Sequence, residues 1–368
     1  MMSSILSIIL VINELMASNV GSVMSPACNF DSWIEIYNPT EQSVNLSGMY
    51  LSKWADSLKS WRMPSNIGIV PAKGFLVVWL GSNDISTKQA PFKLDCDGGT
   101  IYLSDRYGEL ITSEQYPKAM SRTAWARTTD GGSTWGWTDN PTPGKTNATS
   151  VFADKRLDPP VVSEGSQILN GTLTVKVDIP PGTTLMYTTN GSMPTASSST
   201  NSASHQSMDG VFTVSRTTNY VFRLFRDGYL PSVPVTRSFI QTSNTYTIPI
   251  ISIVGDQRYF ADAMWGIDVK GSNGIPGNGR DDPVNWNQPW DRPVNFSYIS
   301  PTEGMLFNQD VNISVSGGWS RMNSPRSMKL KSNKVFDDQN HLDYPFFPQK
   351  PHIRNKCRIQ TVVRLFYA

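Results

Sequence analysis

Trp33-Ile34-Glu35-Ile36-Tyr37 alternates in side-chain character, and Asn38-Pro39-Thr40 follows it directly. A period of two is what a strand imposes, because successive side chains leave on opposite faces; proline after asparagine then turns the chain. Further on, Gly74-Phe75-Leu76-Val77-Val78-Trp79-Leu80 is almost continuously apolar, the pattern expected of a strand covered on both faces. Gly99-Thr100-Ile101-Tyr102-Leu103-Ser104-Asp105 begins another strand, which Tyr107-Gly108 closes.

Short strands punctuated by turns across residues 11–148 describe an immunoglobulin-like β-sandwich. The 368 residues allow two to three domains, each large enough for its own core. Hydrophobic residues make up 39% and charged ones 17%, with Gly 27, Pro 25 and Trp 11, which fits a mainly β protein rich in turns and aromatic rings. A net charge of +2 gives no electrostatic case for a nucleic-acid partner or an anionic membrane. Cys28, Cys96 and Cys357 are too few and too widely spaced for a CxxC metal site. The first two stand either as a bridge in an exported protein or as two separately buried thiols. His205, His341 and His352 lack spaced partners, which argues against a histidine zinc site or a Ser-His-Asp triad. Residues 1–10 read as a remnant of an export signal, although no Lys or Arg precedes the apolar run and the strand reading of Val11-Ile12-Asn13-Glu14-Leu15 competes for it. The run is too short to span a bilayer, so no transmembrane span is expected.

Asp158-Pro159-Pro160 marks a linker into a second module over 154–241. Gly171-Thr172-Leu173-Thr174-Val175-Lys176-Val177 alternates as a half-buried strand, and Asn190-Gly191 predicts a hairpin turn after the strand through Leu185-Met186-Tyr187. Further strands are expected at Tyr220-Val221-Phe222-Arg223-Leu224-Phe225 and Val235-Thr236-Arg237-Ser238-Phe239-Ile240, with a mobile serine-rich loop over 197–205. A third module over 247–368 opens with the apolar Ile250-Ile251-Ser252-Ile253-Val254, read as a buried strand. Residues 270–287 are polar and glycine-rich with no hydrophobic period, so a loop is expected there. Arg292-Pro293-Val294-Asn295-Phe296-Ser297-Tyr298-Ile299 and Val311-Asn312-Ile313-Ser314-Val315 read as two further strands.

Three resemblances attach to these modules. Ile12-Asn13-Glu14-Leu15, Asp31-Ser32-Trp33-Ile34-Glu35-Ile36-Tyr37-Asn38-Pro39 and Leu46-Ser47-Gly48-Met49-Tyr50-Leu51, with the exit Trp137-Thr138-Asp139-Asn140-Pro141-Thr142-Pro143-Gly144, resemble the lamin-tail domain in its bacterial form. That resemblance implies a binding or positioning role without catalytic residues. Pro181-Gly182, Tyr187-Thr188-Thr189, Gly191-Ser192-Met193-Pro194-Thr195 and Gly228-Tyr229 resemble the small sandwich at the C-terminus of chitobiases and β-hexosaminidases. Gly317-Gly318-Trp319-Ser320-Arg321 and Lys329-Leu330-Lys331 resemble the N-terminal part of CotH-like spore-coat kinases, a partial α+β lobe. The family's pattern is lost after Pro351-His352-Ile353-Arg354-Asn355-Lys356, so the chain is expected to lack the metal-binding aspartate and to turn nothing over.

The kinase resemblance implies Arg321, Arg326, Lys329 and Lys331 as contacts for ATP phosphates, with ATP and Mg²⁺ as cofactors if that module is intact. A strand through Ser327 would place both lysines on one face and Arg326 on the other. The competing reading is a solvated basic strand face. Trp135 and Trp137 offer an aromatic platform for a sugar, against a tryptophan anchor packed on its own sandwich. Glu14, Asp31 and Glu35 invite a carboxylate site, but polar residues at strand ends more often satisfy turn backbone. Asp281-Asp282 and Asp337-Asp338 read as loop acids, no metal or catalytic residue is expected, and an apolar sheet face is expected to lie bare in the third module. The expectation is a secreted or cell-surface binding and positioning protein with an extracellular protein or polysaccharide partner. A fragment of an ATP-dependent protein serine kinase and a carbohydrate-binding accessory protein are the alternatives.

Overall fold

A computed structural model of the chain describes residues 9–81, 88–197, 203–337, 340–342, 344–346 and, for the backbone, 356–359. Expectations for residues 1–8, for most of the serine-rich loop, for Asp338 and for residues 351–355 fall outside the described residues. The protein is mainly β, and contacts divide it into two compact units, Met1–Asp154 and Lys155–Ala368.

The strands of the first unit are β1 (Val11–Met16), β2 (Ser32–Tyr37), β3 (Val44–Asn45), β4 (Tyr50–Ser52), β5 (Trp61–Arg62), β6 (Ile69–Val70), β7 (Phe75–Leu80), β8 (Gly99–Ser104), β9 (Leu110–Tyr116), β10 (Ala124–Arg127) and β11 (Trp135–Thr138). They form one sheet in the order β11-β10-β1-β2-β7, a second in the order β5-β4-β8-β9, and the small pair β3-β6. Ile12, Leu15, Ile34 and Ile36 meet Leu51, Ile101 and Leu103 in the core between them, all essentially without solvent exposure. Ile12 and Leu15 lie three positions apart and would leave a regular strand on opposite faces. A bulge between Ile12 and Glu14 restores both to the core.

The apolar run at 74–80 is not covered on both faces. β7 is an edge strand in which Val78 and Leu80 are buried while Phe75, Val77 and Trp79 are half-exposed. Its outer side chains are spent on neighbours in the same sheet: Phe75 stacks on Tyr37 at 4.9 Å and Trp79 leans on the fully buried Trp33 at 6.2 Å. An edge strand can therefore read as apolar throughout.

The second unit holds β12 (Gln167–Leu169), β13 (Leu173–Lys176), β14 (Thr184–Thr188), β15 (His205–Ser207), β16 (Val211–Val214), β17 (Thr218–Phe225), β18 (Val235–Gln241), β19 (Ile250–Val254), β20 (Ile275–Gly277), β21 (Arg280–Val284), β22 (Arg292–Ser300), β23 (Gly304–Val315), β24 (Met328–Lys331) and β25 (Lys356–Ile359). Its first sheet runs β12-β18-β17-β14-β15 and faces the pair β13-β16 across a core of Val175, Leu185, Phe212, Phe222 and Phe239. The Asn190-Gly191 hairpin does not form; β14 pairs with β15, which begins only at His205. Asn190 Oδ1 accepts the Ser192 amide and hydroxyl, and Pro194 has no amide to offer, so the chain leaves the ladder here.

The other large sheet runs β19-β22-β23-β24-β25. β19 is an edge strand, half-buried except for Val254, rather than the buried strand expected. The stretch expected to be a loop contains the hairpin β20-β21, joined by Asn278 and Gly279 with φ of 51° and 83°. Two consecutive left-handed residues are what a two-residue hairpin turn demands. The sheet face expected to lie bare is covered. Phe296 and Phe307 are buried against Phe346, whose ring lies 5.7 and 5.4 Å from theirs, and Gln309 donates to the His341 carbonyl. On the opposite face a polar seam ties this sheet to the preceding one. Asn308 donates to the Thr236 carbonyl, Ser238 and Ser252 share a hydrogen bond of 2.7 Å, and Ser166 approaches Ser297 at 3.4 Å.

Candidate functional site

The carboxylates of the first unit converge on the outer face of its larger sheet. Glu14 and Glu35 are direct cross-strand partners on β1 and β2, and both are fully buried. They lie within the strands, not at strand ends, yet they serve backbone as expected. Glu14 accepts the Thr142 amide at 3.2 Å and approaches the Thr142 hydroxyl at 3.4 Å, and Thr142 Oγ1 bonds Asn147 Oδ1 at 2.9 Å. Glu35 accepts Asn13 Nδ2 at 3.1 Å and the Gly144 amide at 2.6 Å. Asp130 joins them, accepting Asn13 Nδ2 and the Asn147 amide, both at 3.0 Å. Together these bonds clasp residues 142–147 to the sheet.

Two like charges opposite each other in a dry site cannot both be borne. Burial, reinforced by Glu35, pushes Glu14 up to about 8 against the opposing Thr142 amide and hydroxyl. Burial also raises Glu35 to about 7, opposed by Asn13 and the Gly144 amide. Asp31 is held apart from this pair, among Ser25, Asn29 and Gln89. Among the described residues no group of three or more His, Cys, Asp or Glu side chains is placed to hold a metal ion. Cys28 and Cys96 are each half-buried rather than buried, and Cys96 Sγ donates to the Ala17 carbonyl at 3.8 Å.

Trp135 and Trp137 sit on the β10-β11 hairpin, whose register sets Trp137 opposite Trp125 and Trp135 opposite Arg127. Trp135 stacks on Trp125 at 6.0 Å and 11°, Trp137 tilts against Trp125 at 4.9 Å, and the Arg127 guanidinium lies 4.6 Å from the Trp135 ring centre. Trp135 also packs against the main core. Both indoles are half-buried and each packs on Trp125, with Arg127 over Trp135 as well, the arrangement of an anchor.

In the second unit, Lys329 and Lys331 share the half-buried face of β24 while Met328 and Leu330 point inward. Arg326 lies before the strand. Its guanidinium stacks 3.6 Å from the centre of the Trp286 ring, pairs with Asp268 Oδ1 at 2.7 Å and donates to the Arg321 carbonyl at 2.9 Å. Arg321 donates to the Gly317 and Trp286 carbonyls at 2.7 and 2.8 Å, which ties the glycine turn down, and burial lowers its pKa. Lys331 pairs with Asp291 at 2.5 Å. Among the described residues Lys329 makes no ion pair. Of the four cations that a triphosphate could use, two are neutralised by carboxylates and one is committed to backbone. The donor set therefore fits internal charge balance better than a highly charged ligand. Asp282 is not a loop acid but part of β21, where hydrogen bonds from Arg280 and Lys270 hold it well below the usual carboxylate range.

Several structurally decisive residues were not singled out from sequence. Asp268 and Asp291 carry no local signal, since their partners lie 58 and 40 residues away. Asn278-Gly279 carried a signal that the surrounding polarity masked. Among the described residues no helix is long and apolar enough to cross a membrane. No curated protein matches the chain. β10, β11 and the clasped segment extend the sandwich beyond the part that comparison recognises, and residues 9–118 match the family model of the lamin tail domain, an immunoglobulin-like module.

Proposed function

We propose that this chain is a secreted or cell-surface binding and positioning protein. One observation carries the reading: Lys329 apart, the ionisable side chains described at the candidate sites are spent on the protein's own backbone or on each other. Glu14, Glu35 and Asp130 hold residues 142–147, while Arg326 and Lys331 are neutralised by Asp268 and Asp291. Buried groups used in this way build a rigid scaffold. The lamin tail match over residues 9–118 supports the same reading. The second module, which resembles the chitobiase C-terminal sandwich, then serves as a spacer, and the third resembles the N-terminal part of CotH-like kinases. The test is retention of the full chain on cell-envelope protein and polysaccharide fractions; saturable retention is expected, and its absence from every fraction contradicts the reading.

A second reading is favoured by Lys329 and Lys331 lying on one face of β24, beside the turn at Gly317 and Gly318. Glycines let backbone amides approach phosphate oxygens, and a neighbouring cation offsets their charge. In that reading the chain belongs to an ATP-dependent protein serine kinase with Mg²⁺. Tight ATP-Mg²⁺ binding, lost in Lys329→Ala, supports it.

A further inference from the structure

We propose that the first unit carries a binding cleft for an uncharged saccharide, formed where the 40–45 segment meets the β8-β9 turn. It rests on the binding reading above and names a ligand class for it. The cleft measures about 580 Å³, within the range of small-ligand sites and large enough for one or two sugar rings. Ile9 and the half-buried Val44 give it apolar surface, and Gln42, Ser43 and Asn45 bring amide and hydroxyl groups.

The rim carries the decisive feature, Tyr107, which is 80% exposed. An exposed aromatic ring on a loose loop would mean little. Here the turn is fixed, because Asp105 Oδ1 accepts the amides of Tyr107, Gly108 and Glu109 at 2.8, 2.8 and 2.9 Å. Arg106 ties it to the opposite wall, donating to the Ser47 carbonyl at 2.9 Å and the Asn45 carbonyl at 3.4 Å. A ring carried on a fixed turn has less backbone freedom to lose when a ligand stacks on it than one on a loose loop.

Charge selects the ligand class. Asp105 is occupied by three amides, Arg106 by two carbonyls, and Glu41 by Lys73 at 3.1 Å. Each of these charged side chains is held by a bond within the protein, and with Arg106 set between Asp105 and Glu41 the cleft concentrates no single sign of charge that would favour an ionic ligand. What the cleft presents is a ring face, an apolar floor and neutral polar groups, which match the C–H face and hydroxyls of a sugar.

The experiment titrates the full chain with neutral trisaccharides of glucose, N-acetylglucosamine and xylose by calorimetry, beside an uncharged tripeptide. At least one saccharide should bind, Tyr107→Ala should weaken it roughly tenfold, and Tyr107→Phe should stay within about threefold because the ring is kept. Gln42→Ala should also weaken it. Tyr107 is so exposed that neither change threatens the fold. The proposal is overturned if no saccharide binds, if Tyr107→Ala binds as the parent does, or if the peptide alone binds at this cleft. Retention on envelope fractions that persists in Tyr107→Ala while no saccharide binds would end this proposal and leave the binding reading standing.

Discussion

Replacing Glu14 by Gln should remove much of the pH dependence of the first unit's stability. Glu14 ionises at about 8 in the folded protein, against an ordinary 4.5, because burial and Glu35 disfavour its charge. A raised folded value means that the stabilising contribution is fully present below pH 4.5 and is lost as pH rises toward 8. Between those values the unfolded chain releases the proton and the folded one keeps it. Each pH unit in that window costs about 1.4 kcal/mol, so from pH 5 to 8 Glu14 alone should remove about 3 to 4 kcal/mol. Glu35 is raised to about 7 by burial and acts in the same direction, and because the two sites interact their effects do not simply add. Glutamine mimics the protonated acid: its carbonyl can accept the Thr142 amide and its amide can donate to Thr142 Oγ1. The assay is hydrogen exchange at the Thr142 and Gly144 amides of the full chain, converted to opening free energy from pH 5 to 8. The parent should lose several kcal/mol over that range, and Glu14→Gln should keep at most half of the slope and exceed the parent at pH 8. A flat or rising profile in the parent would refute the reasoning.

Three further outcomes are expected. Trp33→Ala empties a fully buried indole site beside Trp79 and Met16 and should cost about 3–5 kcal/mol in urea denaturation; a loss under about 1 kcal/mol would mean that the site is not packed as described. Gly191→Ala places a methyl group 2.3 Å from the Gly255 carbonyl oxygen at a φ of +77°, so the second unit should lose more than about 1 kcal/mol and become easier to cleave by protease. Asp268→Asn strips Arg326 of a mostly buried partner and should cost roughly 3 kcal/mol, whereas Lys329→Ala should be nearly neutral to stability; equal effects of the two would contradict the charge assignment.

What could be read from the chain was what local pattern determines. The alternation at Trp33 to Tyr37 and the closure at Tyr107-Gly108 appear as β2 and the β8-β9 turn because each depends on residues next to one another. The two Asn-Gly pairs show where locality fails. Both carry the turn signal, but Gly277 pairs with Arg280 across Asn278-Gly279, while Asn190 captures Ser192 with its own side chain and Pro194 cannot donate. β7 was misread because an apolar run does not say whether its second face meets another layer or only neighbours in its own sheet. The carboxylates were legible as residues and as backbone-satisfying groups, but not as a clasp, because Thr142 lies 128 residues from Glu14. The cleft at Tyr107 is the same kind of case, built from two turns far apart in sequence.

Phosphoryl transfer tests the central claim most directly. The full chain is incubated with radiolabelled ATP, Mg²⁺ and a serine-rich protein substrate, and label on protein is measured beside Lys329→Ala and Lys331→Ala. A scaffold that spends Arg321, Arg326 and Lys331 on its own contacts transfers no label above background, in the parent and in both variants alike. Label that accumulates with time in the parent and disappears in the lysine variants would contradict the account.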